Sequence, residues 1–160
     1  MTEQFHFFWR TNSPFSQWHP SNFVVEGQPF NCAEQYMMWG KAQLFGDAEI
    51  AAQILEAAQP RDQKALGRKV RNFDRTVWSK HAREIVYRGN RAKFTQNPDL
   101  RKFLLATGDA TIVEAAPNDA IWGIGISEEE ARTTDPSAWP GTNWLGEILT
   151  KLREELKNEG

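Results

Sequence analysis

The stretch that decides the fold is Asn31-Cys32-Ala33-Glu34-Gln35-Tyr36-Met37-Met38-Trp39-Gly40-Lys41-Ala42-Gln43-Leu44-Phe45-Gly46. Asn31 is a good helix N-cap, Glu34 stands three residues later as in a capping box, and Gly46 supplies a stop. A helix is therefore expected from Asn31 to Phe45. Residues seven apart share a helix face, so Glu34 and Lys41 lie two turns apart on one side with Met38 between them. A carboxylate and an amine on a buried stripe shift each other's pKa and can share protons. The plainer reading keeps Glu34 as the capping-box carboxylate and Lys41 as a solvated surface lysine.

Before this helix the chain is aromatic and rich in turns. Phe5–Arg10 reads as a strand, and Val24–Phe30, with Gly27 and Pro29, as another short extended piece. After it the sequence is mostly helical. Asp47 can cap a helix to about Ala58, stopped by Pro60, and a third runs from Arg61 to Val70. Asp74 caps the longest, in which Trp78, Ala82, Ile85, Val86 and Gly89 recur at helical spacing through Phe94. Asn97-Pro98 opens a short helix carrying Leu100, Phe103 and Leu104. Thr111–Ala115 is β-branched and reads as a strand, Pro117–Gly141 as loop with a helical turn at Ser127–Arg132. A last amphipathic helix carries Leu145, Ile148, Leu149, Leu152 and Leu156. The expected fold is a helix-dominated α+β single domain with a few short strands over residues 1–160.

Composition narrows the function. Nineteen basic and 21 acidic residues give a net charge of −2, which argues against an electrostatic nucleic-acid binder. Cys32 is the lone cysteine, His6, His19 and His81 are scattered, and no zinc spacing is present. No metal and no cofactor are expected. The start MTEQFHFFWR lacks the apolar core of a signal peptide, and no run of apolar residues is long enough for a membrane span. A cytoplasmic protein without membrane association is the expectation. Seven tryptophans in 160 residues are unusual; most suit a core, and indole faces also suit flat ring ligands.

Two further constellations carry possible chemistry. Asn118-Asp119-Ala120-Ile121-Trp122-Gly123-Ile124-Gly125 combines a carboxylate, a stacking ring and glycines that allow close approach of a ligand; a surface turn with a buried tryptophan is the alternative. Gly67-Arg68-Lys69-Val70-Arg71, with Arg61 upstream, could grip phosphate, or could be solvated helix surface. Ser21-Asn22-Phe23 and Asn143-Trp144-Leu145-Gly146 could meet sugar hydroxyls, though Asn143 also suits the N-cap of the last helix. No Ser-His-Asp order and no Walker loop is present.

The order of these pieces resembles the NADAR family. Ser21-Asn22-Phe23, Cys32 to Lys41, Leu66-Gly67-Arg68, Trp78 with Arg91-x-Lys93-Phe94, Leu104 to Thr107, Ile112 to Glu114, Asn118 to Gly125 and Asn143 to Arg153 follow its segments in sequence. The resemblance implies N-glycosidase chemistry on phosphoribosylamino-pyrimidines of riboflavin synthesis, or removal of ADP-ribose from guanine in nucleic acid. It implies Glu34 and Asp119 as catalytic residues and Trp78 and Trp122 as substrate-binding aromatics; the residue chemistry adds Lys41 as a catalytic amine and Asn22, Arg68, Gly123 and Asn143 as further substrate-binding residues. The implied partner is a small ribosylamine phosphate or an ADP-ribosyl substrate, with ADP-ribosylated nucleic acid a further one. The sequence departs at Gln35, where the family often has histidine, at Met38-Trp39-Gly40, and through an insertion around Glu128–Pro140. A direct hydrolysis and a sugar transfer onto Lys41 are both chemically coherent. The rival class is a non-catalytic ADP-ribose-binding module, which need not keep an acid and an amine in register.

Overall fold

The computed structural model describes residues 4–159. Their order is β1 (Phe5–Phe8), β2 (Phe23–Val25), β3 (Gln28–Phe30), α1 (Ala33–Leu44), α2 (Ala48–Glu56), α3 (Pro60–Gly67), α4 (Arg75–Gln96), α5 (Pro98–Leu105), β4 (Thr111–Glu114), α6 (Glu128–Arg132), a 3₁₀ turn (Pro136–Ala138) and α7 (Trp144–Asn158). The fold is α+β and dominated by helix. It divides into two compact units, one of residues 17–98 and one of the described residues up to 16 together with 99–159.

In the 17–98 unit, α1 packs along α4, α2 and α3. The expected extended piece Val24–Phe30 is instead a tight antiparallel hairpin pairing Phe23 with Phe30 and Val25 with Gln28. Glu26 and Gly27 both take positive φ, 50° and 82°, the pair of left-handed residues that a two-residue hairpin turn needs. Phe23, Phe30 and Tyr36 are buried between this hairpin and α1, with Trp39, Leu55 and Ile85 packed against them.

The start of α1 differs from expectation. Cys32, not Asn31, is the N-cap, and it makes no side-chain capping bond. The Asn31 amide is committed to distant partners: its Nδ2 donates to the Ala58 carbonyl at 2.9 Å and its Oδ1 accepts from Gln63 Nε2 at 3.0 Å. The reach-back bond expected of Glu34 is made by Gln35, whose Oε1 accepts the Asn31 N–H at 2.8 Å. Gln35 also donates to the Ile54 carbonyl at 3.0 Å, tying α1 to the end of α2. The Asp47 and Asp74 caps form as read, accepting the Ile50 and Val77 amides at 3.1 Å each.

In the other unit, β1 and β4 pair in parallel, Phe5 with Thr111 through Phe8 with Glu114, and α7 packs on β4. Leu145, Ile148, Leu149, Leu152 and Leu156 are all buried, as their spacing demands. Arg153, 2% exposed, holds the α5–β4 turn by donating to Thr107 Oγ1 at 2.9 Å and to the Ala110 carbonyl. Val113, Ala115, Ile124 and Ala131 form a second cluster capped by Phe5, Phe7 and Trp139.

Candidate functional site

Four of the nine residues singled out from the sequence gather around one amine. Lys41, half-buried on α1, has its Nζ 5.8 Å from the ring centre of Trp78 in the first turns of α4. A second ring, absent from the sequence reading, stands closer: the Phe73 centre is 4.6 Å away. Burial pushes the Lys41 amine below the ordinary lysine range; the Glu34 carboxylate opposes this shift and the Arg68 guanidinium adds to it. Glu34 itself is 6% exposed, and its backbone N–H donates to the Gln17 carbonyl at 2.9 Å. The helical register thus does what was expected of it, placing an acid and a desolvated amine on one face.

The local sequence explains each placement. A Cβ on Gly67 would come within 2.0 Å of Met38 Sδ, so glycine lets α3 close onto α1 and leaves Arg68, its C-cap, at the edge of the Lys41 cluster. The loop that follows is pinned by Asp47. The Oδ2 of that carboxylate accepts from the Arg71 backbone N–H at 2.9 Å and from Nε at 3.2 Å, and its Oδ1 accepts from Nη2 at 2.7 Å. Hydrogen bonds from Arg71 hold the Asp47 carboxyl well below the usual carboxylate range. Asn72, at φ 62°, then turns the chain so that Phe73 reaches Phe45, centre to centre 5.4 Å, and Lys41. Asn22, exposed just ahead of β2, gives its carbonyl to Asn97 Nδ2 at 2.9 Å.

Lys93, named in the sequence only as part of the Arg91–Phe94 segment, was not singled out there. It lies on α4 with no exposed surface, and burial pulls its amine down to about 7, with the Cys32 thiol acting in the opposite sense. Cys32, buried beside it, is pushed up to about 11 by desolvation and feels both Glu34 and Lys93; its Sγ donates to Gln63 Oε1 at 3.1 Å. The available signal was a lysine falling on the apolar stripe Ala82, Val86, Gly89, Lys93.

Asp119, Trp122, Gly123 and Asn143 belong to the other unit, where they build one another's positions. Asp119 Oδ1 accepts the N–H groups of Ile121 at 3.0 Å and Trp122 at 2.9 Å. The carbonyls of Ile121 and Trp122 take the Trp144 and Leu145 N–H groups at 3.1 Å each, satisfying donors that an α-helix leaves open at its start. Asn143 is the N-cap of α7 by position only, in the left-handed region at φ 54° and without a capping bond. Its side chain is spent on β4: Oδ1 accepts from the Glu114 N–H at 3.0 Å and Nδ2 donates to the Ile112 carbonyl at 3.0 Å. Trp122 is half-buried edge-on to Trp144, 5.5 Å between centres.

Comparison with known proteins places the chain in a family. The NADAR domain model matches residues 7–157, and the chain belongs to the NADAR family. N-glycosidase R617 of Acanthamoeba polyphaga mimivirus is 52% identical over 146 residues, covering 88% of this chain and 86% of that protein. Protein irg-1 of Caenorhabditis elegans is 39% identical over 173 residues, 97% of this chain and 81% of its own. The NMR structure of the E. coli protein YbiA, 30% identical, superposes with a TM-score of 0.80 over 99% of this chain and 88% of that one. Among the described residues no helix is long and apolar enough to cross a membrane, and no three His, Cys, Asp or Glu side chains form a group that could hold a metal ion.

Proposed function

We propose that this chain cleaves the bond between a ribose-phosphate sugar and the exocyclic nitrogen of a flat base, with phosphoribosylamino-pyrimidines as the substrate class. The coarse activity is that of the N-glycosidases it resembles, hydrolysis of an N-glycosyl compound. The observation that carries the finer reading is the Lys41 amine, desolvated, on the Glu34 face of α1, beside Arg68 and two aromatic rings. A lysine amine attacks only when neutral, and burial favours that form.

On this reading the sugar ring of the ribosylamine opens to an imine at C1. Neutral Lys41 adds to C1, the base takes a proton and leaves as its amine, and an iminium links C1 to Nζ. Water then adds to C1, releasing the sugar as an aldehyde and Lys41 as an amine. Glu34 moves the protons, a role worth roughly 10²–10⁴-fold in rate. Arg68 holds the phosphate. Two further assignments follow the family resemblance, Asp119 as a second proton-transfer carboxylate and Trp122 as a stacking ring, and the exposed Asn22 offers a polar contact to sugar hydroxyls. Gly123 and Asn143 shape the Asp119 loop.

Borohydride added during turnover of a phosphoribosylamino-pyrimidine should attach the sugar irreversibly to Lys41, located by mass spectrometry. Lys41→Arg should abolish adduct and turnover together. An active Arg variant without adduct would sink the lysine route and leave direct hydrolysis. The same incubation with ADP-ribosylated guanine DNA decides between the two substrate classes, and binding of either without cleavage would mark a non-catalytic module.

A further inference from the structure

We infer that Phe73 is a substrate-contacting residue: the 68–74 loop presents its ring beside the Lys41 amine as a stacking face for the base, and Asp47–Arg71 is the pair that positions it. The inference rests on the reading of Lys41 as the reaction centre. Phe73 is 46% exposed, although a phenyl ring gains most from burial. Three features nonetheless keep it there. A buried carboxylate, Asp47, is committed to Arg71 by three hydrogen bonds, one of them to the backbone two residues before Phe73. Asn72 takes φ 62°, a left-handed conformation that asparagine tolerates better than most side chains and that sets the turn before Phe73. The ring then rests with its centre 4.6 Å from Lys41 Nζ, with Trp78 5.8 Å from the same atom.

Desolvation of Lys41 alone does not require an aromatic ring, since any apolar side chain excludes water. What a ring adds is a π-face. A sugar whose C1 approached Nζ would carry its base toward the ring faces centred 4.6 and 5.8 Å from that atom. Stacking of a nucleobase on an aromatic residue is tolerant of base identity, which suits an enzyme whose leaving group is a flat heterocycle. The loop also carries Arg68, so one latched segment would grip the ligand at ring and phosphate.

Equilibrium titrations of the full chain test this without requiring turnover. The probes are uridine 5′-monophosphate and guanosine 5′-monophosphate, which carry a ring, and ribose 5-phosphate, which does not. Phe73→Leu keeps an apolar cover over Lys41 but removes the stack. It should weaken both nucleotides about tenfold and leave ribose 5-phosphate unchanged, and Phe73→Trp should restore nucleotide affinity. Arg71→Ala releases the loop and should weaken all three, measured below the melting temperature of the variant. Nucleotide affinity unchanged in Phe73→Leu, or wild-type protein that binds nucleotides no better than ribose 5-phosphate, overturns the assignment of Phe73. Arg71→Ala binding like wild type overturns the latch. If the Phe73 pattern holds but no ribosylamine is cleaved, the catalytic reading fails and the stacking face stands. Cleavage with an unaffected Phe73→Leu is the converse.

Discussion

Gly123→Ala isolates what the second glycine-rich constellation does. An ideal Cβ at this position would lie 2.7 Å from the Glu114 carbonyl oxygen, 3.0 Å from Ala116 Cβ and 3.0 Å from the Asp119 carbonyl oxygen. Two of the three neighbours are backbone, so no side chain can swing aside. The Glu114 carbonyl is already occupied, accepting the Ile124 N–H at 2.9 Å, and Gly123 in turn accepts from the Asn143 N–H at 3.0 Å. Making room for the methyl means lifting the 119–124 loop from the end of β4 and stretching both bonds. Overpacking of this kind costs about 1–3 kcal/mol, and a weakened hydrogen bond about 1 kcal/mol more. For a chain of this length the melting temperature should fall by roughly 5–15 °C. Calorimetry reads that loss, and turnover measured well below both transitions reads the displacement of Asp119 and Trp122. Stability and activity should fall together. A variant that melts within a degree or two of wild type would refute the packing argument, and if it were also inactive, Gly123 would instead be a site where ligand approaches the backbone.

Glu34→Gln should lose about 10²–10⁴-fold in rate with little change in melting temperature, because Cys32 is the N-cap and Gln35 supplies the reach-back bond; a stable, fully active variant removes Glu34 from the mechanism. Glu34 raises and Arg68 lowers the Lys41 pKa. The acidic limb of borohydride trapping against pH should therefore move down in Glu34→Gln and up in Arg68→Met, and movement of both in one direction contradicts the electrostatic picture. Lys93 concerns stability. Its folded pKa of about 7 lies below its ordinary value of 10.5, so between these values the unfolded chain binds a proton that the folded chain does not. Stability should rise from pH 7 to 9, by at most about 1.4 kcal/mol per unit for this group. Lys93→Met should flatten that slope, read from denaturant midpoints. Equal slopes in the two proteins would place a charged amine in the folded state.

What was legible in the sequence was what is decided locally. The Asp47 and Asp74 caps each meet an amide three residues on, and the α7 leucine stripe needs nothing beyond its own spacing. The start of α1 was misread because Asn31 is claimed by Ala58 and Gln63, partners 27 and 32 residues away. Asn143 was misread as a capping side chain because its Oδ1 and Nδ2 are committed to the backbone of β4 at Glu114 and Ile112, partners 29 and 31 residues away. The Glu34–Lys41 face followed from helical register alone. Phe73 did not, since its place depends on a carboxylate 26 positions earlier that clamps Arg71. Periodicity has no access to such a contact.

The surroundings of Lys41 pull on its charge in opposite directions, and the lysine route gives that opposition a purpose. Burial and Arg68 disfavour the ammonium, while Glu34 and two ring faces favour a cation at Nζ. An ammonium is compact and strongly hydrated, so it loses most when water is removed. An iminium spreads the same charge over carbon and nitrogen and is more weakly hydrated. The burial that disfavours the ammonium would therefore penalise the intermediate less, whereas the carboxylate and the π-faces act on both cations. On the proposed lysine route this balance would disfavour the resting charge and support the one formed at C1=Nζ, a differential of the kind that lowers a barrier. Guanidinium shares the diffuse charge and suits the same ring faces, yet it cannot give up its proton to attack. Arginine at position 41 should thus keep the electrostatics of the intermediate while lacking its chemistry, which makes it a sharper test than alanine.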